Sequence, residues 1–169
     1  KYDSVGNLQW LKSAGGNAYD NPIDLELDEE ENLLITGNFQ GTCWFDDQSV
    51  ISEAYLNIFL AKYSPQGNLL NLSSINADNR AEKLFLTTSE DDLFLSGTFF
   101  DLMCLDGDTV YSPGESDIFT LSLSNELTIN DLILFGENTF EANGDKCLKD
   151  IQYFDNSFWF LTEFKDSTD

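Results

Sequence analysis

IDLELDEEENLLITGNF, residues 23–39, decides the fold. Ile23, Leu25 and Leu27 alternate with Asp24, Glu26 and Asp28, the period-two pattern of a strand with one face covered. Glu29 to Asn32 read as a polar turn, and LLITGNF runs back as a second β-rich segment. The layout returns at 84–99 as LFLTTSEDDLFLSGTF and at 151–164 as IQYFDNSFWFLTEF. Repetition of one strand–turn–strand unit is therefore the first property to explain.

Outward from this stretch the period holds. KYDSVGNLQW (1–10) comes back as KYSPQGNLLN (62–71), with Lys, Tyr, Gly, Asn and Leu in the same places. LSLSNELTI (121–129) is a weaker third copy whose turn has lost its glycine. Asn57-Ile58-Phe59 becomes Asp117-Ile118-Phe119, and Ile35-Thr36-Gly37-Asn38-Phe39 becomes Leu95-Ser96-Gly97-Thr98-Phe99, both displaced by one and the same interval. In the third unit Phe160 takes the place of Leu95 after a slightly longer interval, with the extra length in the 137–145 loop. Offsets that change only in turns are what surface insertions produce.

Each unit carries four strand signals. They fall at 22–28, 32–39, 57–64 and 68–75, then at 83–88, 92–99, 117–124 and 127–135. A loop of about 15 residues is expected between the second and third strand of each unit. The opening segment reads as a strand end, a Gly6-Asn7 turn and a further strand over 8–14. Four antiparallel strands at a fixed period of roughly 60 residues imply an all-β chain built as β-propeller blades. On that reading 1–15 are the outer strands of a preceding blade, 16–75 and 76–135 are complete blades, and 136–169 are the first half of a third. Three blades' worth falls short of the ~4–8 that close a ring. The chain is thus read as a segment of a longer propeller, or as one of two copies that together close a six-bladed ring. It has no starting Met, which fits a processed protein or a piece of one.

The pattern resembles the SBBP-type bacterial β-propeller repeat. The residues that carry the resemblance are Asn57-Ile58-Phe59-Leu60-Ala61-Lys62-Tyr63 through Gly67-Asn68-Leu69, then Gly15-Gly16-Asn17-Ala18-Tyr19-Asp20 and Asn32-Leu33-Leu34-Ile35-Thr36-Gly37. Asp106-Gly107-Asp108-Thr109-Val110 and Asp117-Ile118-Phe119 look like the family's inter-strand loop and third strand. The third unit departs from it, with Thr162 and Glu163 where Gly97 and Thr98 stand. The resemblance implies a secreted or cell-surface bacterial protein with no shared catalytic signature. Its implied role is adhesion, or the binding of a protein or glycan through blade loops.

Composition narrows the function classes. Of 169 residues, 31 are acidic and 8 are Lys or Arg, a net charge of −23. So acidic a surface repels phosphate backbones and disfavours docking on anionic lipid, which argues against a nucleic-acid partner, and no apolar run approaches the ~20 residues of a membrane span, so no membrane insertion is expected. Solubility is one reading of the charge; a divalent cation or an electropositive partner is the other. With 14 Phe, 6 Tyr and 3 Trp the chain has ample material for a core. Cys43, Cys104 and Cys147 are three in number, so at least one is unpaired within the chain. Cys43 and Cys104 occupy similar places in neighbouring units, and all three read as small buried hydrophobes.

Chemistry-bearing motifs are few. The absence of His removes His-based triads and His metal ligands. Asp106-Gly107-Asp108 has the start of a calcium loop, but lacks the other ligands at their spacing and is equally an ordinary hairpin turn. No cofactor is called for, with Ca²⁺ at Asp106 and Asp108 the one option. Asp20, Asp78 and Asp145 precede the first strand of each unit and are placed to cap a turn, one per blade. Trp44, in the expected long loop GTCWFDD, is the candidate for an exposed binding aromatic. The alternatives to an interaction module are a substrate-binding propeller beside a catalytic domain elsewhere, or a carboxylate-dependent hydrolase or lyase.

Overall fold

The structure, a computed structural model, describes residues 1–77, 80–89, 92–105, 108–135 and 145–165. Among them every regular element is a strand, and all strand pairs are antiparallel. In chain order the elements are β1 (Ala14–Gly16), β2 (Asp20–Leu27), β3 (Leu33–Phe45), β4 (Gln48–Tyr63) and β5 (Leu69–Asn76). There follow β6 (Arg80–Ser89), β7 (Asp92–Leu105), β8 (Asp108–Leu123), β9 (Ile129–Phe135), β10 (Asp145–Phe154) and β11 (Ser157–Lys165). Strands β2 to β5 pair in sequence as one meander and β6 to β9 as a second, while β10 and β11 form a hairpin. The two meanders touch edge to edge through one pairing, Asn76 with Cys104.

Period-two geometry sorts the side chains of each meander onto two faces. Leu33, Ile35 and Phe39 share the front of the first meander with Phe59, Ala61 and Tyr63; Leu34 shares the back with Ile58, Leu60 and Ile75. Both faces are apolar, so both need a cover. The back of the first meander packs on the front of the second, where Leu86, Leu95, Phe99 and Leu121 complete one continuous core. The back of the second packs on the β10–β11 hairpin through Ile118, Phe85 and Phe135 against Leu148, Ile151 and Phe160. The Phe135 and Phe160 rings lie 4.3 Å apart there. The contact therefore occurs twice in the same sense, back onto front.

A polar bond repeats with it. Asn38 Nδ2 donates to Ala81 O at 2.7 Å, from β3 to the next meander's first strand. One repeat further on, Thr98 Oγ1 accepts the Leu148 N–H at 2.9 Å. The turns repeat as well. Asp3, Asp28, Ser64 and Ser124 each accept side-chain hydrogen bonds from N–H groups two and four residues ahead. The fourth residue of each such turn is left-handed: Gly6, Glu31, Gly67 and Leu127, with φ from +60° to +90°. Leu127 keeps this conformation without a glycine because its side chain is buried in the main core.

Two sequence expectations are corrected. The loops expected after Phe39 and Phe99 are continuations of the strands. After bulges at Phe39/Gly41 and Phe100/Leu102, β3 and β4, and likewise β7 and β8, run on as two-stranded arms closed at Phe45–Gln48 and Leu105–Asp108. Alternation explains the first arm: Cys43, Phe45 and Val50 line its front and are buried. Nor do residues 8–14 form a full strand. Leu8 makes an isolated bridge with Tyr2, and only Ala14–Gly16 pairs further, with Cys43 to Phe45.

Glycine at Gly37 and Gly97 makes room within each meander. Each lies opposite a Phe of the third strand, Phe59 and Phe119, whose ring covers the vacant side-chain position. A Cβ on Gly97 would stand 2.9 Å from both Leu84 Cδ2 and Phe119 Cε1. On Gly37 it would strike the Asn21 carbonyl and lie 2.8 Å from Pro22 Cα, a backbone that cannot step aside. Gly37→Ala is predicted to lose about 3 kcal/mol in urea unfolding and Gly97→Ala about 1–2 kcal/mol; equal or negligible losses would show that the Phe rings do not depend on the glycines.

Candidate functional site

The first arm, Gly41–Phe45 with Gln48–Ser52, extends beyond the pairing of β2 and β5. Its front is sealed by Cys43, Phe45 and Val50, so the back carries what remains. There Trp44 lies opposite Ser49 and Ile51 opposite Thr42, and Trp44 and Ile51 are both exposed. The arm is braced. Trp44 also pairs with Gly15 of β1, and Lys12 Nζ holds the tip through Asp46 at 2.9 Å. Added side-chain volume at Gly16 would collide with the Thr42 carbonyl, so the close approach of β1 requires glycine. The expected Trp44 is thus an exposed aromatic on a strand. Sequence reasoning misses Ile51 because it places the segment in a loop, where alternation carries no meaning. Its counterpart on the second arm, Tyr111, is exposed too.

A cleft of about 250 Å³ opens on the front of the first meander. Leu33, Ile35, Phe45 and Phe59 form its floor, and Trp10 and Ala14 of the N-terminal segment form one wall. Polar residues line it as well, Lys12, Ser13 and Asn21 together with Asp20, Cys43 and Tyr63. Asp20 Oδ2 accepts the Gly16 N–H at 2.6 Å, the turn-capping role expected of it. Asp78 lies outside the described residues, as does the side chain of Asp145. Burial pushes the Cys43 thiol up to about 12, helped by a hydrogen bond to Asp20 and by that carboxylate's charge. Burial likewise raises the Tyr63 hydroxyl to about 12, with the charge of Asp46 adding to it. Groups held neutral in this way are not nucleophiles near neutral pH. The cleft is an apolar recess, and its chemistry is packing.

The remaining candidates are dispersed. Asp106 lies outside the described residues; Asp108 is exposed at the start of β8, opposite Leu105. Among the described residues no three His, Cys, Asp or Glu side chains converge as metal ligands would. Cys43 and Cys104 sit one place apart in the repeat: Cys43 lies opposite Val50 as Met103 lies opposite Val110, whereas Cys104, opposite Thr109, answers to Trp44, opposite Ser49; all three cysteines are free thiols. Cys43 is buried as expected, whereas Cys104 and Cys147 are half-buried. Among the described residues, an enclosed ion pair joins Lys62 to Asp28 at 2.8 Å. Burial works to raise the Asp28 carboxyl, but hydrogen bonds from Lys62 and Asn32 hold it below the usual carboxylate range. That pair ties the β2–β3 turn to β4 and is structural.

The raised Cys43 thiol fixes a sign. Neutral in the fold and ionising near 9.0 when freed, it stabilises fully below that pH and less as pH climbs toward 12. Tyr63 acts in the same direction. The urea midpoint is predicted to fall between about pH 9 and pH 11, and to fall less steeply in Cys43→Ala. A midpoint insensitive to pH, or equal slopes in both proteins, would contradict the burial of an un-ionised thiol.

No family model matches the chain and no curated protein is significantly similar to it, so its resemblance to the SBBP repeat stands on the residues quoted above.

Proposed function

We propose that the two meanders and the hairpin are blades of an SBBP-type β-propeller, and that the chain is a non-catalytic interaction module of a secreted or cell-surface bacterial protein. Support for the propeller reading comes from the repeated stacking. The first strands β2, β6 and β10 lie side by side, and each sheet covers its neighbour in one sense. A ring of such sheets presents the hairpins between second and third strands at one rim.

The observation that carries the functional reading is the braced arm with Trp44 and Ile51 outward. Monomer surfaces rarely gather large apolar groups at a projecting tip without a use. A rigid aromatic loses little entropy when it is covered, which suits it to anchor a protein or glycan ligand. The charge of −23 favours a neutral or basic partner and opposes nucleic acid.

Binding of the labelled chain to printed glycan and cell-surface protein arrays tests this reading. Trp44→Ala is predicted to weaken any bound spot at least about tenfold while leaving the melting temperature unchanged. EDTA is predicted to have no effect, since the face needs no ion. Spots bound equally by the variant, or no spot bound by the parent chain, would overturn the assignment.

A further inference from the structure

A second cavity, of about 410 Å³, opens where the first meander meets the second. Among the described residues, Tyr19, Asn21, Ile23 and Asn38 line it from one side, and Glu82 and Lys83 from the other. Both first strands are bulged at this level, β2 between Pro22 and Asp24 and β6 between Glu82 and Phe85. A bulge interrupts the ladder and re-aims a side chain, and Lys83, inside the second one, takes a left-handed φ of +52°. Past the bulges the strands close up again. Asp24 Oδ2 accepts the Leu86 N–H at 2.7 Å, and Leu27 O accepts the Thr88 hydroxyl at 2.9 Å.

The next junction shows why this space is open. Counted back from Phe85 and Asp150, the first paired residues after each bulge, Lys83 and Leu148 share a repeat position. Leu148 is 0% exposed, and its N–H donates to Thr98 Oγ1. Lys83 is exposed instead. Asn38, the counterpart of Thr98, bonds through its nitrogen to Ala81 O. Its Oδ1 is left without a hydrogen-bond partner, although the residue is only 6% exposed. An apolar plug at one junction is thus an outward lysine at the other, and the space left behind holds a buried acceptor that needs a donor.

The walls limit what that donor can belong to. Glu82 and Lys83 contribute one charge of each sign, so the cavity has no net charge with which to hold an ion. Glu82 is already engaged within the protein, which leaves it poorly placed to balance an ammonium group. Asn21 brings an amide that both donates and accepts, while Tyr19 and Ile23 bring apolar surface. A cavity of ~150 Å³ holds a benzene ring, so the volume here admits a six-membered ring with its substituents. Hydroxyl groups on such a ring each donate and accept, as this mixed set of partners requires.

We propose that the cavity binds one neutral pyranose ring, a hydroxyl of which donates to Asn38 Oδ1. Neighbouring hydroxyls accept from Lys83 and exchange hydrogen bonds with the Asn21 amide, and the C–H face of the ring lies on Ile23 and Tyr19. This site is separate from Trp44, needs no uncovered sheet face, and survives failure of the arm assignment.

NMR titration of the isotope-labelled chain with the methyl pyranosides of glucose, galactose, mannose and N-acetylglucosamine tests it. At least one is expected to saturate with a Kd on the order of 1 mM, shifting the Asn38 side-chain amide and the backbone amides of Glu82 and Lys83. Because the ligand is neutral, raising salt from about 0.1 M to about 1 M is expected to change that Kd less than about twofold. Lys83→Leu, which installs the plug found at the next junction, and Tyr19→Ala are both at exposed positions. Each is expected to weaken binding at least about tenfold with unchanged circular dichroism. No response to any of these sugars, a stronger response to glucuronate or glycine, shifts confined to the Trp44 indole, or an affinity indifferent to both substitutions overturns the proposal.

Discussion

A sheet with apolar side chains on both faces has to be covered twice, and everything else in this structure follows from that. The second strand of each unit states the constraint: Leu33-Leu34-Ile35, Leu93-Phe94-Leu95 and Phe158-Trp159-Phe160 are unbroken apolar runs, so alternation sends large groups to both sides. Stacking sheets back to front meets the demand for every inner face. Gly37 and Gly97 let the Phe rings lie flat across the pairing, and Asn38 and Thr98 fix the distance between sheets with one hydrogen bond each. Such a structure is close to one-dimensional, since each sheet depends on its nearest neighbours.

The polar residues are arranged around this stack instead of within it. Much of the acidic surplus sits at turns, where Asp3 and Asp28 close the chain reversal by accepting backbone N–H groups. Asn7 and the backbone donors around it hold the Asp3 carboxyl low, and the Lys62–Asp28 pair does the same inside the first meander. Carboxylates used in this way are ionised caps, not members of an acid–base pair. In the front cleft titratable groups meet apolar surface, and there burial keeps Cys43 and Tyr63 neutral.

The repeat was legible because strand alternation, the Gly-Asn turns and the constant offset between units are all signals carried by the sequence itself. The arms were not. Thr42 to Phe45 and Ser49 to Ile51 alternate correctly, but the turn between them, Asp46-Asp47, has no glycine, and Asp46 takes φ +53° without one. Sequence reasoning therefore placed Trp44 in a loop, correctly outward but on the wrong support. Leu25 and Leu27 were read as the covered face of β2, and in the second unit the equivalent face is covered. Their exposure here is a property of position in the stack, which no local pattern encodes. The pairing of residues 8–14 was over-read: of this stretch only Leu8, in a single bridge to Tyr2, and Ala14, opposite Phe45, enter a pairing.

Hydrogen exchange of Leu34→Ala against the parent chain is the most direct test of mutual cover between sheets. Leu34 belongs to the first meander, yet its side chain lies in the core it shares with Leu93, Leu95 and Leu121 of the second. If the sheets hold one another, emptying that position should quicken exchange across the interface, in β7 and β8, by nearly as much as in β3 and β4. Quickened exchange confined to β2–β5 would mean that each meander stands alone, and stacking would not be what holds this chain together.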